Sequence, residues 1–270
     1  MRSLHTNILR QRPLPKRGVI LLGTMGLLLA GCAEKQKQVI APMIIYQDTV
    51  SPLDDVLSTV QYRIGGRSLM NRLVEYEVQG YGPDCTFILA TIHGNEDAGT
   101  PLVRCLSQYL QEHRELLRGR TVVILPVTNP DGRANHSRGN ARNVDLNRNF
   151  QAKNRINNAE NGHTALSEPE AFVVEKLIKL YKPDKIVSLH QPLACVDYDG
   201  PAEGLAREIS SSCPLPVKKL GTRPGSLGAY TGESLGIPTI TLEMTATDSN
   251  LSTQALWDRY GKALLAAIDG

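Results

Sequence analysis

Three apolar runs in this sequence each lead into a side chain that can bind a metal or move a proton. That pattern restricts the chain to an open sheet with its chemistry at the carboxyl ends of the strands. Residues 87–92 run into His93-Gly94-Asn95-Glu96, residues 186–189 into His190, and residues 239–242 into Glu243. The spacing of three lets His93 and Glu96 converge on one ion as the chain turns, with Gly94 relieving the crowding. Two imidazoles and one carboxylate suit a catalytic Zn²⁺ that keeps a fourth position open to water. A separate glutamate is then left over to act as a base.

Between these runs the periodicity alternates. Residues 73–79, 87–92, 121–127, 185–189 and 239–243 read as strands, and 100–117, 202–212 and 253–268 as helices. A capping box at Ser167-Glu168-Pro169-Glu170 predicts a further helix through Tyr181. The stretch 129–162, rich in Asn, Arg and Gly, reads as a long irregular segment, a length that in a compact domain is usually functional. Strands alternating with helices predict a single-domain α/β fold, a sheet flanked by helices.

The amino terminus predicts export. Arg2, Arg10, Arg12, Lys16 and Arg17 precede an apolar stretch at 18–30 that is too short to span a bilayer as a mature helix. Residues 1–31 therefore read as a signal peptide. Leu29-Ala30-Gly31-Cys32 resembles the lipobox of bacterial lipoproteins, which makes Cys32 the lipidated mature terminus and a membrane anchor. Residues 32–60 then form a tether and 61–270 the catalytic domain. Ala33 after the cysteine resembles lipoproteins passed on from the inner membrane, so the expected location is the periplasmic face of the outer membrane. The formal charge of +3 includes five basic signal residues, and without them the chain is mildly acidic, so nothing points to a nucleic-acid partner. Cys85, Cys105, Cys195 and Cys213 would enter an oxidising compartment. Four cysteines allow three pairings; Cys195 with Cys213 is the first to test, beside free buried thiols.

The order HxxE, then NPDG, then DLNRNF, then a distant strand-end His and a late strand-end Glu resembles the M14 zinc carboxypeptidases across roughly residues 60–265. The stretches 138–150 and 190–197 look most like murein peptide amidases, which cleave between γ-D-glutamate and meso-diaminopimelate in cell-wall peptides. The resemblance implies a mixed, largely parallel sheet and one Zn²⁺ per chain. It makes His93, Glu96 and His190 the ligands and Glu243 the general base. It also makes Arg138 the group facing the developing oxyanion, and Asn147 and Arg148 the pair that holds the substrate's terminal carboxylate. Arg133, Arg142 and Arg155 read as solvated loop charges, whereas Lys218, Lys219 and Arg223 read equally as solvated or as substrate-facing. In one respect the chain departs from the digestive enzymes: no Tyr stands between Tyr198 and Tyr230, so their mobile tyrosine has no counterpart before Gly225-Ser226, and Tyr230 is expected to pack or to lie at the surface. Two other readings stay open: a desuccinylase or aspartoacylase-like deacylase of N-acyl amino acids, which shares the His-Gly-Asn-Glu start, and a non-catalytic lipoprotein that binds wall peptides.

Overall fold

The computed structural model of the chain describes residues 60–270. The expected signal, Cys32 and nearly all of the tether lie outside the described residues. Among the described residues seven strands, β1 Gln61–Arg67, β2 Leu73–Gly80, β3 Asp84–Ala90, β4 Arg120–Leu125, β5 Lys185–His190, β6 Leu193–Asp199 and β7 Thr239–Thr245, form one sheet in the order β1-β2-β4-β3-β5-β7-β6. The inner strands β4, β3, β5 and β7 pair in parallel, while β1, β2 and β6 pair antiparallel at the sides. This is the mixed, largely parallel sheet that was expected. Two of its strands, β1 and β6, had no strand signal in the sequence reading.

Among the described residues there are five α-helices, α1 Gly99–Glu112, α2 Pro130–Ala134, α3 Pro169–Tyr181, α4 Glu203–Ser211 and α5 Thr253–Asp269. On one face Leu102, Leu106 and Leu110 of α1, Ile209 of α4 and Leu256 and Leu264 of α5 bury against Ile88, Val187, Leu189, Ile240 and Leu242. Each such leucine contributes about 1.5–3 kcal/mol of transfer free energy, and Leu106→Ala would cost about 2–5 kcal/mol with its cavity. On the other face Val174 and Leu177 of α3, with Leu146 and Phe150 of the irregular segment, cover Phe87, Leu89, Val123 and Ile186. This second layer is incomplete. Side chains alternate along a strand, and where Ile240, Leu242 and Met244 of β7 fill the first layer, Thr239, Thr241 and Glu243 line an open cleft on the opposite face.

Several expected boundaries move for local reasons. The helix expected over 100–117 ends at Glu112, because His113 leaves helical geometry (φ −125°, ψ 62°) and a 3-10 turn, Arg114–Leu117, follows. The capping box is not formed. Helix α3 is capped at Glu168 without a side-chain bond, since the Ser167 hydroxyl donates to Glu168 Oε1 and accepts from Asn149 Nδ2. β4 stops at Leu125 rather than 127, and β7 runs two residues past Glu243.

The irregular segment is held by its asparagines, which replace the missing sheet bonds. Asn129 caps α2 by accepting from Gly132 N at 2.8 Å. Asn140 donates to Glu168 and accepts from the amides of Arg142 and Val144, and Asn149 donates to the carbonyls of Asn161 and Thr164. Arg155 belongs to this framework too. Its Nη2 donates to the carbonyls of Asn161, Gly162 and Thr164, which corrects the reading of a solvated charge. Arg142 and Arg133 are exposed. All four described cysteines are free thiols, so the Cys195–Cys213 pairing is not present.

Candidate active site

Strand β3 ends at Ala90, two residues earlier than the apolar run suggests, because Thr91 adopts a positive φ of 53°. The amides of Thr128 and Asn129 bond to the carbonyls of Ala90 and Thr91 at 3.0 Å each, and the chain then turns to bring His93 over the sheet. Gly94 is required at that turn: a Cβ there would lie 2.0 Å from the Gly132 carbonyl carbon. The crowding that Gly94 relieves comes from α2. His190 closes β5, and Glu243 sits directly opposite it on β7 in the ladder.

His93, Glu96 and His190 converge as expected, all buried, with one ligand atom from each within 4.8 Å of the others. His93 Nε2 donates to Asp145 Oδ1 at 3.0 Å. Because an ionised carboxylate only accepts, that bond leaves the lone pair of the neutral ring on Nδ1. This atom lies 2.8 Å from Glu96 Oε1, yet makes no aligned hydrogen bond and is buried without a partner. The other Glu96 oxygen accepts from His190 Nδ1 at 2.9 Å and from Gln191 N at 3.2 Å. A lone pair facing a carboxylate in a buried place is well satisfied by a cation held between them. The donor set therefore fits a divalent ion such as zinc, held by His93 Nδ1, Glu96 and His190 Nδ1, with Asp145 fixing the His93 tautomer from behind.

The electrostatics agree. Burial pushes Glu96 upward, but the bonds and charges of His190 and His93 more than offset this and hold it well below the usual carboxylate range. Asp145 is depressed in the same way, burial being outweighed by His93, Arg138 and Arg148. His93 is raised: burial opposes its charge, and the bond to Asp145 together with the nearby Glu96 carboxylate favours it more. Glu243 goes the other way. Burial, aided by Glu96, raises its pKa despite His190, the Leu193 amide and His93.

Arg138, Asn147, Arg148 and Glu243 line the same cleft as the three ligands, a space of about 470 Å³ to which Leu220, Arg223 and Ser226 also contribute. Arg138 Nη1 donates to Glu96 Oε1 at 3.1 Å and its Nε to Asp145 Oδ2 at 3.0 Å, although the side chain stays 46% exposed. Asn147 Oδ1 accepts from Leu227 N at 2.8 Å, which leaves its amide Nδ2 as the donor available to a ligand. Arg148 Nη1 donates to the Asn147 carbonyl at 2.5 Å, and burial pulls its pKa downward. Arg223 also lines the cleft. Lys218 and Lys219 do not line it, and Lys219 Nζ rests 4.9 Å over the Tyr198 ring. Tyr230 stacks on Phe150 within the core, a packing role as expected. Two features had no role in the sequence reading. One is Asp145, although it stands inside the DLNRNF motif; the other is the set Ser188, Asp197 and Asp199, which also line the cleft.

Residues 67–198 match the zinc carboxypeptidase family, Peptidase_M14, a span that contains every expected site residue except Cys32 and Glu243. The chain is 32% identical over 208 residues to murein peptide amidase A of Escherichia coli strain K12, covering 70% of this chain and 83% of that one. The crystal structure of a murein-tripeptide amidase from Escherichia coli O157 aligns with a TM-score of 0.60 at 27% identity, over 76% of this chain and 91% of that one. Carboxypeptidase A from Helicoverpa armigera aligns with a TM-score of 0.64 at 17% identity, over 80% and 70% of the two chains, a likeness of fold.

Proposed function

The chain belongs to the zinc carboxypeptidase family and is a zinc-dependent hydrolase, and from that premise we propose that it hydrolyses murein peptides at the amide bond between γ-D-glutamate and meso-diaminopimelate. The observation that carries the reading is the convergence of His93, Glu96 and His190 in one cleft with Glu243 and the guanidinium groups of Arg138, Arg148 and Arg223. Such a cleft suits a peptide rich in carboxylates. The similarity to murein peptide amidase A supports the same substrate class.

When bound, zinc would polarise the scissile carbonyl and lower the pKa of water to about 7. The remaining steps fall to the chain. Glu243 accepts the proton of the attacking water and passes it to the leaving amine, a task for which a carboxylate with a raised pKa is suited. Arg138 stands beside Glu96 and lines the cleft with its side chain partly exposed, where a fixed positive charge meets the oxyanion as it develops. Asn147 Nδ2 and Arg148 hold the terminal carboxylate, which sets the register of the peptide so that the scissile bond lies by Glu243. Burial of Arg148 strengthens that contact, since the charge is only partly solvated.

The proposal extends to the cellular setting. Cys32 carries the lipid anchor, residues 32–60 form the tether and the enzyme works at the periplasmic face of the outer membrane, as Leu29-Ala30-Gly31-Cys32 suggests. Palmitate-analogue labelling of cells carrying the parent or Cys32→Ser protein tests this; unlabelled, freely soluble parent protein would end it. For the reaction, zinc-loaded protein is incubated with L-Ala-γ-D-Glu-meso-Dap and, separately, with N-succinylglutamate. Free diaminopimelate from the first and no amine from the second is the expected result. The reverse would favour the deacylase reading, and binding without release the non-catalytic one.

A further inference from the structure

Helix α3 packs against β1, at the opposite end of the sheet from β7 and β6. Gly65 and Gly66 of β1 permit the close approach, since a Cβ at Gly65 would lie 2.6 Å, and one at Gly66 2.7 Å, from a Val173 methyl group. Lys176 Nζ donates to the Gly65 carbonyl at 3.3 Å, and the hydroxyls of Tyr181 and Tyr76 meet at 3.2 Å. The side chains that α3 leaves exposed are Phe172, Lys176, Lys179 and Leu180, and steps of three and four residues put them on one stripe. Lys182 follows, exposed, at the helix end. Arg63, exposed on β1 and paired with Tyr76 in the ladder, points to the same face of the sheet.

Two properties set this stripe apart. Of the chain's three phenylalanines, Phe87 and Phe150 are fully buried, whereas Phe172 is 53% exposed, and Leu180 beside it is 57% exposed. One exposed apolar side chain is ordinary; two of this size bracketing two lysines on one stripe are not. The second property is charge. Helix α3 exposes no carboxylate, because Glu170 and Glu175 turn inward and are buried. Glu175 pairs with Lys179 at 2.5 Å, yet that lysine remains 68% exposed. On a chain that is mildly acidic without its signal, Arg63, Lys176, Lys179 and Lys182 concentrate positive charge in one place. Lysine stems can lie along an apolar surface while their ammonium groups stay in water. Such a stripe fits a partner that is anionic outside and apolar just beneath, which describes a bilayer carrying acidic headgroups.

We infer that the exposed stripe of α3, with Arg63, rests on an anionic lipid surface, a contact that rests on the envelope setting proposed above and gives it an orientation. Residues 32–60 join the domain at Gln61, the first residue of β1, and so on the edge that carries the stripe. The cleft lies at the other end. From β1 to β7 there are five strand spacings in the sheet order, about 24 Å in all. Docked through α3, the domain keeps its cleft clear of the bilayer and open to a substrate that lies beyond it.

The test is flotation of the mature chain, residues 32–270 with Cys32→Ser so that it carries no lipid, with vesicles of phosphatidylcholine made with or without phosphatidylglycerol. The parent should float with the anionic vesicles and not with the neutral ones. The paired changes Phe172→Ser with Leu180→Ser, and Lys176→Glu with Lys179→Glu, should each lower partitioning by at least about tenfold. Arg118→Glu with Lys262→Glu makes the same change of charge at exposed positions elsewhere and should leave partitioning near the parent's. Thermal unfolding and zinc content show that each variant folds. No binding by the parent, equal binding to neutral vesicles, an equal loss in the Arg118 and Lys262 variant, or binding that survives both α3 pairs overturns the inference. So does a parent that ignores vesicles but sediments as a dimer dispersed by Phe172→Ser with Leu180→Ser, which would give the stripe to a second copy. Palmitate labelling at Cys32 is a separate readout, so failure of the anchor and failure of the docking face are told apart.

Discussion

Replacing Asp145 with Asn should weaken zinc binding by 10- to 100-fold, the usual consequence of removing a partner behind a ligating histidine, equivalent to about 1.4–2.8 kcal/mol. The structure explains why a change of one atom suffices. Asp145 Oδ1 accepts from His93 Nε2 at 3.0 Å and from Asn147 N at 2.9 Å, and Oδ2 accepts from Arg138 Nε at 3.0 Å. An asparagine can keep its oxygen toward His93, but its amide then faces the Arg138 donor. Turned the other way, it faces Arg138 with oxygen and meets His93 with a donor, which removes the tautomer that leaves Nδ1 free. Either way the carboxylate charge that raises the basicity of His93 is gone. The assay is competition for zinc against a chelator of known affinity, with thermal unfolding to show that the variant folds. Zinc affinity within a factor of about two of the parent would refute the role of Asp145.

Glu243→Gln should retain zinc and lose about 10² to 10⁴ in turnover; a variant within about tenfold of the parent means another group is the base. Because burial raises Glu243 and a base must be ionised, the acid limb of kcat/KM should lie above the ordinary carboxylate range and vanish in the variant's residual activity. Arg148→Ala should chiefly raise KM, since the terminal carboxylate is present in ground and transition states alike, whereas Arg138→Ala should chiefly lower kcat; amidating the substrate's terminus without effect on the parent would refute the first. Asp131 tests the fold apart from the metal. Burial would raise it, yet Met70 N, Ser68 and Arg72 hold it below its usual value, so its stabilisation is full above the unfolded-state pKa and is lost as pH falls through the folded one. Asp131→Asn should destabilise by about 1–3 kcal/mol at pH 7, with the gap to the parent narrowing in thermal melts at low pH; a gap independent of pH contradicts the assignment.

The parallel centre of the sheet was legible because β3, β4, β5 and β7 are continuous apolar or alternating runs, three of which, β3, β5 and β7, lead into chemistry. β1 and β6 were not. β1 is exposed over most of its length, and its pattern resembles a linker. β6 alternates Cys195, Asp197 and Asp199 against Val196 and Tyr198, a period of two that was present to be read, but charged residues facing a cleft mimic a loop. His93, Glu96, His190 and Glu243 stood out in the sequence by residue type and by their places at or just after strand ends, and they line one cleft. Asp145 was overlooked within a quoted motif because its role is exerted through His93, a relation that exists only once the segment 129–162 folds back over β3. The failed capping box at Ser167 has the same origin: a local signal was overridden by Asn149, distant in sequence and adjacent in space.

The account depends most directly on a single zinc held by His93, Glu96 and His190 that drives hydrolysis. Titrating zinc into chelator-stripped protein while following diaminopimelate release from L-Ala-γ-D-Glu-meso-Dap tests it in one measurement. Release should be absent at the start, rise with added metal and level off at one equivalent per chain, and His190→Ala should abolish the rise. Release that precedes any metal, or a rise that survives the loss of His190, would contradict it.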